Sequence, residues 1–424
     1  MATLLTQVSG AAALLRFVFL DPVSSKPTGG WWAVLRLNRG APLAHDRCMW
    51  QFKRVRGRFL SAALAGWTMV AMAFAGAGLE SGRHLYCAVP GVRNYLEYGG
   101  HGLIVYDIDA GYRFVKRIPI GGLDDKGRPI NVKGVCASAA TDRIYISTLR
   151  TMMCLDLRTE KLLWEKPYEG GCDRMAIAPD GSHIYLPSLE KHHWHVVDAH
   201  DGSVIKRIDI HAGAHNTIYG LGGARAYLAG LKSPFLRVTD TKTHSIVKEV
   251  GPFSQSIRPF TVNRAETLCY VNVNELLGFE IGDLKTGKKL HRVEVEGFKQ
   301  GPVKRHGCPS HGVGLTPDES EVWVTDAWNR RMHIFDNTVL PPQQVASVFL
   351  RDEPGWITFR LDGRHAWPST GDIVDVKSRK IIGGLTDEHG RSVMGEKVVE
   401  IHWQEGDVVR TGDQFGLGRK GRGK

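Results

Sequence analysis

One position of a repeated unit is filled, copy after copy, by side chains that can carry charge. Where the first strand of each copy begins, the residues are Lys133, Asp173, His215, Arg258, His311 and Gly355, five of the six ionisable. The next position holds Gly134, Arg174, Asn216, Pro259, Gly312 and Trp356, which adds two polar groups and an aromatic wall. A position that only packs would favour small or apolar types. Convergent polar groups around a concave mouth instead read as a site for a polar ligand.

Other chemistries are weaker. His101 and His193 are expected on the same face as His215 and His311, and imidazoles suit zinc or copper, yet none of the standard metal spacings is present. A divalent ion at these histidines is therefore a minor reading, and no cofactor is called for. Covalent haem needs Cys-x-x-Cys-His, which does not occur.

The elements that must position these residues follow from the repeat. Its clearest copy runs from Cys172 to Ile210: MAIAPDG, HIYLPS, WHVVDAHDG and VIKRIDI, four short strands joined by Asp-Gly and Pro-Asp-Gly turns. One Asp closes the third strand of each copy: Asp107, Asp156, Asp198, Asp240, Asp283, Asp336 and Asp375. Spacings of 49, 42, 42, 43, 53 and 39 residues, with four strands per unit, predict an all-β, seven-bladed β-propeller of four-stranded antiparallel blades. The first copy lacks its innermost strand, and KVVEIHW at 397–403 is left over near the C-terminus. The expectation is a ring closed by that C-terminal strand, so that no sheet edge stays open.

The longer connections, 92–101, 121–131, 190–193 and 298–309, all belong to the face where second-to-third turns and blade-to-blade links lie. The opposite face keeps short hairpin turns, so binding is assigned to the long-loop face.

The unit PSHGVGLTPDESEVWVTDAWNRRMHIFD at 309–336 resembles the repeat of the YVTN-type propellers, secreted or periplasmic bacterial proteins that are also similar to the propeller subunits of quinoprotein amine dehydrogenases. The resemblance covers about 320 residues and implies fold more than chemistry, since members share blades rather than one reaction. It implies a binding propeller first. A lactonase-like branch is the enzymatic alternative, because CPSHGVGLTPDE is similar to its blades. There His311 or His215 would be the general base, and Arg258 or Arg174 would hold an anionic group or a developing oxyanion. The run 154–170 resembles the docking repeat of quinone-dependent dehydrogenases. Only this copy has the Trp, Trp164, and the adjacent cysteine pair of those enzymes is missing, so oxidation is the remotest alternative and Trp164 reads as a packing aromatic.

Targeting and charge complete the reading. Residues 60–78 are uncharged, follow Lys53, Arg54, Arg56 and Arg58, and end in Ala-x-Ala-type sites. This predicts a signal peptide over 49–77, cleavage near Gly76 or Gly78, a secreted or periplasmic destination and no membrane span after cleavage. Residues 1–48 are then an artefactual or disordered extension, 78–414 the propeller and 415–424 a basic flexible tail. The formal charge of +11 lies in the two ends, +7 in residues 1–58 and +4 in 415–424, leaving the body at zero. A neutral body offers no phosphate stripe, which disfavours nucleic acid; a small polar molecule or a protein is the expected partner of a monomer. The six cysteines of the exported part are expected as buried free thiols.

Overall fold

The computed structural model describes residues 3–8, 11–16 and 81–420. The chain divides into two compact units, 1–71 and 72–424. In the first, Thr3–Val8 pairs antiparallel with Ala11–Arg16, a hairpin in a stretch where the sequence predicts no regular element. The segment 49–77, expected as a signal peptide, lies outside the described residues.

The second unit is all-β, a ring of seven antiparallel blades built on four strands each, with two further strands added to the sheet of blade one. Blade three is typical: Ala176–Ile177, His183–Pro187, His193–Asp198 and Val204–Asp209 from the channel outward. Its two middle strands are buried almost throughout, because neighbouring blades cover both faces, whereas the outermost strand is largely exposed. Each of the seven marker aspartates ends its third strand. The reason is local. Asp156, Asp198 and Asp375 each accept a backbone N–H at 2.7 Å from Thr159, His200 and Ser378, closing the turn with a side chain.

A second repeated device joins blade to blade. Buried tyrosines on the second strands reach the next blade through their hydroxyls: Tyr145 donates to the Ala199 carbonyl at 2.9 Å, Tyr227 to Glu266 Oε2 at 2.7 Å and Tyr270 to Asn337 Oδ1 at 3.0 Å. Tyr185 bonds His244 Nδ1 at 2.7 Å in the same way. Trp164 packs near Tyr145 and donates to the His200 carbonyl at 3.0 Å.

Ring closure is made by Val398–Gln404, which pairs with Gly82–Val89 and becomes the innermost strand of blade one. The chain does not then leave as a flexible tail. Asp407–Gly412 pairs on the channel side of the closing strand, and Gly418–Lys420 pairs on it in turn, so residues 415–420 correct the expected tail boundary. Apolar Phe415 and Leu417 explain this, since both are buried. All six cysteines described are free and buried. Burial pushes the thiols of Cys87, Cys269 and Cys308 up to about 12.

Candidate functional site

The first residues of the innermost strands meet at one end of the channel. In blades two and four, the charged position is the extra residue of a β-bulge: Lys133 between Val132 and Gly134, and His215 between Ala214 and Asn216. Blade five shows a register shift between Ile257 and Phe260, around Arg258. A bulge re-aims a side chain that regular alternation would send elsewhere. In blade three the pairing covers only Ala176 and Ile177, so Asp173 and Arg174 lie before it.

These groups form a connected, buried cluster. Asp173 is fully buried; it accepts from His215 Nδ1 at 2.7 Å and lies 3.3 Å from Lys133 Nζ. Burial opposes its charge, but Lys133 and His215 hold the carboxyl below the usual range. His215 and His311 have ring centroids 6.1 Å apart. His311 Nδ1 donates to the Gly355 carbonyl at 2.8 Å, and burial, reinforced by His306, lowers its pKa well below that of a free imidazole. The Arg174 guanidinium lies 3.6 Å from the centroid of Trp356 and is paired with Glu396. Asn216 is joined to Arg174 through an isolated parallel bridge.

Sequence reasoning missed three members. Tyr86 pairs with Val399 as Tyr145 pairs with Cys136 and Tyr185 with Ala176. The ring position lies three residues upstream of each partner, which makes Glu396 the seventh ring residue and Lys397 its successor. The register of the closing strand carried that signal. Burial opposes ionisation of Glu396, but Lys397, Arg174 and His306 hold its carboxyl well below the usual range. Lys397 donates to Glu396 Oε2 at 2.5 Å and to the Gly91 carbonyl at 2.7 Å, and burial lowers its ammonium to about 7 despite that partner.

The third is His306, which comes from the loop 298–309 rather than from a strand. Its Nδ1 lies 3.3 Å from Glu396 Oε1, and its ring stands over Gly355, where a β-carbon would fall 2.0 Å from Cε1. That explains the lone glycine in the ring: the loop supplies the imidazole that the strand does not. No spacing could have announced it.

The expected open mouth is therefore corrected to a closed chamber, with Asp173, Arg174, His215, Asn216, His311 and Trp356 all buried, the most exposed, His311, at 7%. The loop is its roof. Arg305 pairs with Asp352 at 2.5 Å and bonds the Tyr98 hydroxyl at 3.2 Å, while Glu353 accepts the Arg305 N–H at 3.0 Å. The C-terminal segment is its floor. The Gln414 carbonyl accepts from Trp356 Nε1 at 2.9 Å and Thr358 Oγ1 at 2.7 Å, and Phe415 packs 5.0 Å from Trp356. A void of about 20 Å³, room for one water, remains between this segment and blades two to four.

Three candidates are not drawn in. Arg258 turns to Asn274 Oδ1 at 2.6 Å and the Gly307 carbonyl at 3.2 Å, beside an open cleft of about 580 Å³. His101 bonds the Gly121 carbonyl at 2.9 Å. His193 lies 3.1 Å from His195 Nε2 and from the Glu169 carbonyl, within blade three and the link before it. Among the described residues, no three His, Cys, Asp or Glu side chains are placed to hold a metal ion, and no helix is long and apolar enough to cross a membrane.

Chemically, the chamber combines fixed cations, a carboxylate-oriented imidazole and donors without acceptors. Arg174 Nη1, both amide atoms of Asn216, His215 Nε2 and His306 Nε2 are buried without a hydrogen-bond partner, although Glu353 Oε1 lies 4.0 Å from His306 Nε2. No known family model and no curated protein matches the chain.

Proposed function

We propose that this protein is an exported, monomeric propeller of the YVTN type that binds a small polar molecule in the chamber between the loop 298–309 and the C-terminal segment. The observation that carries this reading is the set of unpartnered polar atoms on Arg174, Asn216 and His215. Each buried polar group left unsatisfied costs about 1 to 3 kcal/mol. Unsatisfied atoms occur elsewhere in the ring, but here those of Arg174, Asn216 and His215 belong to one connected cluster of ring positions, and such a concentration supports recognition of a ligand. His306 fills the space over Gly355. Because it stands on a loop, it can withdraw without breaking any blade. The reading calls for no cofactor.

A thermal-shift panel of small acids, sugars, lactones, divalent metals and quinones tests it, since a ligand selective for the folded state raises apparent stability. A compound that stabilises the wild type but not Arg174→Met supports the site. Stabilisation that survives this change places binding elsewhere.

The pairing of His215 with Asp173 favours a second reading, lactone hydrolysis. A carboxylate accepts only, so Nδ1 of His215 donates, and in the neutral ring Nε2 carries the lone pair that a general base needs. Turnover lost in His215→Gln while binding persists would establish it. Turnover unchanged in that variant would exclude His215 as the base.

A further inference from the structure

The unpartnered atoms specify more than polarity. Arg174 Nη1 and the Asn216 amide nitrogen are donors that need an acceptor; Asn216 Oδ1, and Nε2 of a neutral His215 whose Nδ1 donates to Asp173, are acceptors that need a donor. Charge narrows the choice. Asp173 lies beside Lys133, Glu396 is paired with Arg174 and Lys397, and Glu353 is engaged by the backbone of the roof loop, so the unpaired edge of the Arg174 guanidinium is the group left for an anion to answer. Size adds a limit, because the space that opens when His306 withdraws is that of one imidazole over Gly355, beside Trp356.

Resting on the binding reading above, we propose that the ligand class is a small hydroxy-carboxylate. Its carboxylate takes the free edge of Arg174 and the Asn216 N–H. Its hydroxyl donates to Asn216 Oδ1 or His215 Nε2. A plain carboxylate leaves the acceptors unanswered, a neutral diol leaves the guanidinium unanswered, and sulfate or phosphate offers acceptors alone. A site built to bond a hydroxyl discriminates strongly against an analogue that lacks it, because its own buried groups are then stranded.

The test is calorimetric titration of the full chain with lactate, propionate, 1,2-propanediol and sulfate. Lactate is expected to bind at least tenfold more tightly than each of the others. Asn216→Leu is expected to fold with an unchanged or higher melting temperature, to bind both acids more weakly through Arg174 alone, and to narrow the preference for lactate over propionate. Equal affinity for lactate and propionate in the wild type overturns the hydroxyl requirement, and tighter binding of propanediol or sulfate overturns the class; both leave the binding reading standing. If no acid binds while another member of the thermal-shift panel stabilises the protein in an Arg174-dependent way, the class is wrong and the chamber still binds. Silence across the whole panel overturns both. The wild-type comparisons decide the matter even where Asn216→Leu fails to fold.

Discussion

The ring of Phe415 lies 5.0 Å from that of Trp356, and through this contact the end of the chain is tied to the floor of the polar chamber. Phe415 is 3% exposed and belongs to a core cluster that includes Phe260, Ile257 and Trp356. Phe415→Ala is therefore expected to cost about 3 to 5 kcal/mol, as large aromatic deletions from cores do. Urea unfolding followed by tryptophan fluorescence measures it. A loss comparable with a surface substitution would show that the segment only rests in the channel.

Two truncations separate closure from plugging. Removing residues 397–424 takes away the innermost strand of blade one, exposes the edge of Gly82–Val89 and should leave aggregated protein. Removing 405–424 keeps that strand and should leave a folded, less stable monomer. Size-exclusion chromatography and melting temperature distinguish the two; indistinguishable behaviour would mean that closure needs the plug.

The His306 placement is tested by a double-mutant cycle. A β-carbon on Gly355 would fall within 2.0 Å of the His306 ring, so Gly355→Ala should expel the imidazole and destabilise the protein. The same change in a His306→Ala background should cost much less, with a coupling of about 1 to 3 kcal/mol. Additive effects would show that His306 is not what excludes a side chain there. His306→Ala alone should also tighten binding of the chamber's ligand, because nothing then has to be displaced.

The contrast between what the sequence discloses and what it hides has a physical basis. Blades are local: a turn aspartate such as Asp156 acts on residues two or three positions away, so its signature repeats along the chain. The ring positions could be read in the same way: in five of six copies the position stands twelve residues before a second-strand aromatic, and in the sixth the Pro-Asp turn sets the register of His311 against Val322. His101 and His193 bond elsewhere because face alone does not set radius: His101, in a connection, bonds the Gly121 carbonyl, and His193, at the start of a third strand, bonds within its own blade and the link before it. The roof and floor were hidden for another reason. His306 and Phe415 act across blades, and no period relates a loop tip or a chain end to the strand it covers. Reading Glu396 required carrying the register of blade one across the ring closure, a step that links residues more than 300 positions apart.

Lys397 makes the chamber's pH response specific. Its neighbours are Glu396, which it donates to, Arg174 and Lys133, whose charges oppose its own, and the Gly91 carbonyl. Burial lowers its pKa to about 7 in the folded protein, against 10.5 when free. Between those values the unfolded chain binds the extra proton, so stability should rise with pH across that window. His306 and His311, lowered by burial, are already neutral at its lower end. Above the ordinary thiol range the sign reverses, because cysteines held up to about 12, such as Cys87 and Cys308, keep protons that the unfolded chain releases. Urea midpoints should therefore climb from pH 7 to about 9 and then fall. In Lys397→Met the climb should flatten while the alkaline fall remains, since the thiols are untouched. Parallel profiles for the two proteins would show that Lys397 keeps its proton in the folded state.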